Sequence, residues 1–280
     1  MNHREYSWKG SDGIALFGQS WIPDGPCRAM INYVHGFKDH SSRFEKWALR
    51  LTENGYGVMA IDLRGHGRSD GRRGYAPSFG SYIKDILVLC QRAKKMFGDS
   101  PHILYGHSLG GSIVCNYLIS ENLLPAAAII ASPWFTLAIK PPIFKLAFAQ
   151  ALRFIAPGLL VSSTLDAQGL SHDKKVVEEY LSDPLVHNSI LPRLFFEIEE
   201  NGIKASKSIY KINIPLLVMH GTADRITSFR QTREFILNAG NRTTFKEWPG
   251  SFHELHNDTA EKEVFNFLLQ WLSKQTGEIS

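Results

Sequence analysis

Cysteine is scarce in this 280-residue chain: Cys27, Cys90 and Cys115 are widely spaced, odd in number and form no CxxC pair. The spacing excludes a disulfide framework, points to neither a zinc site nor a redox dithiol, and implies free thiols in a reducing compartment. Charge of one sign is lacking too. Lys plus Arg number 31 against 27 Asp plus Glu, a net +4 with no dense basic tract, so nucleic-acid binding has no electrostatic footing. No apolar run approaches the roughly 20 residues of a membrane span. The start, Met1-Asn2-His3-Arg4-Glu5, has mixed charge and no apolar stretch of the kind a secretory signal needs. Repeats and low-complexity segments are absent. The expectation is a soluble, cytoplasmic protein.

What the chain does have is alternation. Ala29–Val34, Val58–Ile61 and Leu216–Met219 are apolar at successive positions, as are Ile103–Tyr105 and Ala126–Ala131. Such runs read as strands covered on both faces. Helical stretches fall between and after them: Ser42–Glu53, Phe79–Met96, Leu109–Ile119, Thr227–Leu237 and Ala260–Leu272. Alternating strand and helix predicts a doubly wound α/β architecture, a mostly parallel central sheet flanked by helices. Glu5–Ile22 reads as an antiparallel edge hairpin turning at Ser11-Asp12-Gly13. From Pro133 to about Lys207 no buried strand is evident, and an inserted helical cap is the simplest account. The expected organisation is a core over 1–132 and 208–280 with a cap over 133–207.

Gly106-His107-Ser108-Leu109-Gly110 is a G-x-S-x-G pentapeptide between a strand and a helix, the context that gives this motif its meaning. Glycines on both sides let Ser108 take a strained turn and lift its hydroxyl above the sheet. A serine needs a base, and the base needs an orienting acid. In this fold they follow as acid, then His, on loops after later strands. Asp224 follows the run ending at Met219, and His253 follows the strand-like Thr243–Trp248. Of the 11 histidines, His256 is the rival base, one turn further on. Asp258 is the rival acid, too near His253 in sequence. His107 should point away from the hydroxyl, and His220 reads as packing. Backbone N–H groups of Leu109 and Phe37 are the expected oxyanion donors.

These residues, together with three further stretches, resemble the monoacylglycerol lipase and lysophospholipase branch of the α/β-hydrolases, the serine-aminopeptidase-like group. His35-Gly36-Phe37-Lys38-Asp39-His40-Ser41-Ser42-Arg43-Phe44 is similar to the branch's His-Gly loop. Asp62 to Gly71 (DLRGHGRSDG) is similar to its D-x-R-G-H-G-x-S stretch. Leu170–Asp173 with Asp183–Val186 resembles its cap signature. Phe37-Lys38-Asp39 stand where the branch carries a small residue, Gly and Glu, which predicts a narrower oxyanion side. Arg64, His66, Arg68 and Asp70 are expected to interlock and brace their loop.

The resemblance implies an ester hydrolase working through an acyl-enzyme, with no metal or organic cofactor. The implied substrate is a single-chain lipid ester, with lysophospholipids, peptides and a non-catalytic binding role as alternatives. A peptidase would want acidic residues near the cap, and Glu197, Glu199 and Glu200 are the candidates. Phe144, Ala147, Phe148, Ala151, Leu152 and Ile155 share one helical face. On that basis Phe144, Phe148 and Leu152, with His35, are the expected substrate-binding residues. The cap is expected to touch membrane surfaces transiently.

Overall fold

The computed structural model describes residues 1–98, 100–163 and 165–277. β1 (Asn2–Lys9) and β2 (Ala15–Ile22) pair antiparallel, as the hairpin reading expects. β3 (Ala29–Val34), β4 (Tyr56–Ile61), β5 (His102–His107) and β6 (Ala127–Ala131) follow. After a long excursion that contributes only the short antiparallel pair β7 (Val161–Ser162) and β8 (Ser189–Ile190), β9 (Leu216–Gly221) and β10 (Thr243–Trp248) complete the sheet. Its order is β1-β2-β4-β3-β5-β6-β9-β10. From β4 to β10 all neighbours run parallel.

Both faces of the sheet are apolar for a simple reason. In a strand successive side chains point to opposite sides, so an unbroken apolar run feeds two cores. Met30 and Val34 of β3 join one core; Ile31 and Tyr33 join the other. The first core is closed by α2 (Phe79–Phe97) and α3 (Leu109–Ser120), the second by α1 (Glu45–Glu53) and α8 (Glu261–Thr276). The excursion between β6 and β9 carries α4 (Ile143–Ile155), α5 (Lys174–Ser182) and α6 (Pro192–Ser206), and α7 (Phe229–Ile236) follows β9. Among the described residues no helix is long and apolar enough to cross a membrane.

Two helix starts differ from expectation by two residues or more. A 3₁₀ turn over Ser41–Phe44 precedes α1. α7 starts at Phe229 rather than Thr227 because the Asp224 carboxylate takes the Ile226 and Thr227 amides, leaving Ser228 to cap the helix at Gln231.

The Asp62–Gly71 loop is braced, but not by side-chain contacts among Arg64, His66, Arg68 and Asp70. Arg64 reaches outward to Asp85 (2.6 Å) and Asp12 (2.7 Å), and Arg68 to Glu5. Asp62 accepts from the amides of Ser41 and Arg68, each at 2.7 Å. Asp70 is exposed and is engaged through its backbone, its amide donating to Ala15 and its carbonyl accepting from Gly65. The loop lies between the hairpin and α2, so the opposing charges come from those neighbours.

Candidate active site

Ser108 sits between β5 and α3 with φ 55° and ψ −117°, the left-handed strain the pentapeptide predicts. A Cβ on Gly110 would lie 2.1 Å from the Val34 carbonyl oxygen, and one on Gly106 2.3 Å from that of Gly110. Neither position can hold another residue without moving backbone. The loop after β3 also approaches the serine, less tightly: a Cβ on Gly36 would lie 3.0 Å from Ser108 Cβ.

Asp224 and His253 arrive from the ends of β9 and β10. His253 Nδ1 donates to Asp224 Oδ2 at 2.7 Å. With Nδ1 protonated and bound, the ring presents the Nε2 lone pair. The His253 carbonyl accepts from Ser132 Oγ at 2.8 Å, and the flanking Phe252 amide is held by Asp258 at 2.7 Å. Burial alone would raise the Asp224 carboxyl. The charge of His253 and hydrogen bonds from His220 and His253 instead hold it well below the ordinary carboxylate range.

Ser108, His253, Gly36 and Phe37 line one cavity of about 380 Å³, together with Trp134, Leu137, Leu146, Leu170 and Ile226. Among the described residues the N–H groups of Phe37 and Leu109 find no hydrogen-bond acceptor. Beyond Ser108 and His253, the charged residues and the tyrosine of its largely apolar wall are Lys38, Asp39, Tyr180 and Glu254 near the loops and Lys140 and Lys145 on the α4 side. Arg43 binds Asp39 (3.1 Å) and Glu254 (2.6 and 2.8 Å) and lies 4.9 Å from the Tyr180 ring centre. Among the described residues no group of three or more His, Cys, Asp or Glu side chains is placed to hold a metal ion.

Several expected substrate residues lie elsewhere. His35 is fully buried behind the cavity wall, where Nδ1 donates to the Gly36 carbonyl and Nε2 accepts the Leu63 amide. It is a strut between the loops after β3 and β4. Phe144 and Phe148 are 67% and 63% exposed and face away from the cavity. Leu152, half-buried, does not line it either. The helix presents its other side, Lys145, Leu146 and Ala149, to the cavity because α4 leans on α6. Arg153 seals that seam over the Phe196 ring. Apolar periodicity identified a real stripe, but a stripe alone does not say which side meets the core.

The acidic trio is also absent from the cavity. Glu199 accepts from the Trp134 indole and the Leu137 amide, Glu197 from the Phe79 amide, and Glu200 faces Arg153. Asp258 serves His172, Phe252 and Thr259, and His256 is packed among His107, Phe44 and Trp47.

Sequence reading missed His220, whose Nε2 donates to Asp224 at 3.0 Å while its Nδ1 accepts from the Thr232 hydroxyl. Its place at the end of β9, four residues before the acid, was the available signal. Thr227 was missed as well; its hydroxyl donates to the same carboxylate oxygen at 2.9 Å.

Comparison with known proteins identifies the family. Residues 25–260 match the family model described as serine aminopeptidase, S33. The chain is 30% identical over 270 residues to a monoacylglycerol lipase of Mycolicibacterium smegmatis, covering 96% of each. It is 33% identical over 271 residues to an uncharacterized abhydrolase domain-containing protein of Dictyostelium discoideum, of which it spans only 28%. Among solved structures, a monoacylglycerol lipase of Paleococcus ferrophilus superposes with a TM-score of 0.82 at 30% identity, over 98% of this chain and 100% of that one. The chain is therefore a serine hydrolase of the α/β-hydrolase fold, and it belongs to the serine aminopeptidase S33 family, in the branch that holds the monoacylglycerol lipases.

Proposed function

We propose that the protein hydrolyses single-chain lipid esters of the monoacylglycerol type through an acyl-enzyme on Ser108. The observation that carries the reading is the 2.7 Å bond from His253 Nδ1 to Asp224, which leaves Nε2 free to act above a strained serine in one cavity. Ser108 Oγ attacks the ester carbonyl carbon as His253 Nε2 takes its proton, and Asp224 steadies the imidazolium. The carbonyl oxygen becomes an alkoxide facing the free amides of Phe37 and Leu109, each donor worth on the order of 2.7–4 kcal/mol. Collapse expels the alcohol, which receives the proton from His253. Water then repeats the cycle on the acyl-enzyme, releasing the acid and restoring Ser108.

The largely apolar wall suits an acyl chain, at ~0.8 kcal/mol per buried CH₂. The polar end at Asp39, Tyr180 and Glu254 suits an alcohol bearing further hydroxyls. A peptidase reading has less support, since Glu197, Glu199 and Glu200 are engaged outside the cavity, and Asp39 and Glu254 are both bound by Arg43. The excursion between β6 and β9 acts as the cap. Ile143, Phe144, Phe148, Phe154 and Ile155 on its outer helix stand in solvent, an apolar stripe suited to resting on a lipid surface beside the cavity mouth.

A fluorophosphonate probe tests the chemistry. Wild type is expected to label stoichiometrically and Ser108→Ala not at all; equal labelling of both would remove Ser108 as nucleophile. On p-nitrophenyl esters of rising chain length, octanoyl should exceed acetyl, and the reverse order would defeat the lipid reading.

A further inference from the structure

Among the described residues only three other than glycine take a left-handed φ: Lys38, Ser108 and Ser132, at 59°, 55° and 44°. Such backbone is strained, and it persists only where its surroundings enforce it. Ser108 is the proposed nucleophile, and Lys38 follows Phe37 in the loop of the expected oxyanion donor. Ser132, directly after β6, is fully buried and lies outside the cavity, so no substrate contact accounts for its strain.

The hydrogen bonds of this turn reach the loops of Ser108, Asp224 and His253. The Ser108 amide donates to the Ala131 carbonyl at 3.0 Å, and the Trp134 amide donates to the Ser108 carbonyl at 2.9 Å, so the turn grips Ser108 from both sides. The Ser132 amide donates to the Met219 carbonyl at 2.8 Å, in the strand that leads to Asp224. The Ser132 carbonyl lies 3.1 Å from the Thr227 hydroxyl that holds the Asp224 carboxylate. The Ser132 hydroxyl donates to the His253 carbonyl at 2.8 Å.

Only the last of these bonds needs a side chain at 132. Glycine would make the others with no strain. Serine keeps the strain and adds one hydroxyl, directed at the main chain of the proposed base. That hydroxyl is not required to satisfy the His253 carbonyl, which also accepts from the Leu255 amide at 3.2 Å and lies 3.4 Å from His107 Nε2. It makes the shortest of the three contacts, and the only one that comes from the turn holding Ser108 and Asp224.

Resting on the ester-hydrolase reading above, we propose that Ser132 is a positioning residue for that reaction. Its hydroxyl fixes the His253 main chain relative to the turn that grips Ser108, and so sets how Nε2 approaches the serine oxygen. Three loops from three separate strands are thereby held in register with one another.

The test pairs steady-state kinetics on p-nitrophenyl octanoate with thermal melting of the same variants. Ser132→Ala removes the hydroxyl and keeps the strain; it is expected to lower kcat about tenfold with KM within about twofold of wild type, the signature of a misplaced base. Ser132→Gly removes both. It should melt above Ser132→Ala, because the strain is gone, yet recover none of the kcat. The rate of fluorophosphonate labelling, which also draws on His253, should fall in both variants by the same factor as kcat. Should Ser132→Ala fail to fold, Ser132→Gly against wild type carries the kinetic comparison. Wild-type kcat in either variant, or recovery of kcat in Ser132→Gly in step with its melting temperature, overturns the positioning role and leaves the ester hydrolase in place. Neither hydrolysis nor labelling by wild type overturns both.

Discussion

His220 and His253 donate to the same oxygen of one carboxylate, Asp224 Oδ2, at 3.0 and 2.7 Å. The first imidazole is fixed at its far side by Thr232 at 2.9 Å, so it holds the carboxylate from behind while the second uses it. A hydrogen bond to a charged group contributes roughly 1.5–3 kcal/mol. His220→Ala is therefore expected to lower kcat about tenfold or more, with a much smaller change in KM, because the residue positions Asp224 and touches no substrate. Steady-state kinetics on a soluble ester checks this, and an unchanged kcat would show that Thr227 and the Ile226 and Thr227 amides suffice.

Gly110 makes a sharper prediction. Its missing Cβ would stand 2.1 Å from a backbone carbonyl in the central strand β3 and 2.7 Å from the next. Backbone in a buried sheet cannot yield as a side chain can. Gly110→Ala should lose folded protein altogether, read as absent soluble yield or a collapsed thermal transition, whereas Gly25→Ala, with nothing within 4 Å, should be neutral.

The fold was legible because a parallel sheet buried on both sides writes itself as consecutive apolar residues, and Leu216–Met219 shows this in full. The positions proposed for the triad stand out in sequence because strand ends are marked by turns after such runs. What could not be read is how elements lean. Phe144, Phe148 and Leu152 share a helical face whatever that face meets, and periodicity carries no sign for inside or outside. Histidines were the other blind spot. His35, a loop strut, and His220, behind the acid, differ in role only through partners brought from 28 and 4 residues away.

Acid stability follows from the Arg43 cluster. Burial would raise the Glu254 carboxyl, but the Arg43 charge and its two hydrogen bonds pull it to about 2. The unfolded value is about 4.3. A depressed folded pKa stabilises the native state above the unfolded value, and that contribution is lost as pH falls through the folded one. Breaking a buried pair costs roughly 3–5 kcal/mol. Glu254→Gln should thus melt well below wild type at pH 7, with the gap in Tm closing between about pH 4.5 and pH 2. A gap independent of pH would mean that packing, not charge, sets the difference.

The outer face of α4 gives the last prediction. Phe144, Phe148 and Ile155, at 67%, 63% and 80% exposure, belong to a helix with no buried residue. Each large apolar side chain moved from water into a lipid interface gains roughly 1.5–3 kcal/mol if fully buried, so even partial insertion of three is worth tenfold or more in partitioning. Replacing all three by serine should reduce co-sedimentation with phosphatidylcholine vesicles at least tenfold. The same variant should keep kcat/KM on a short soluble ester within about twofold, because these side chains lie outside the cavity that holds Ser108. Loss of both properties together would return the stripe to the substrate path. Retention of vesicle binding would place the lipid contact on another surface.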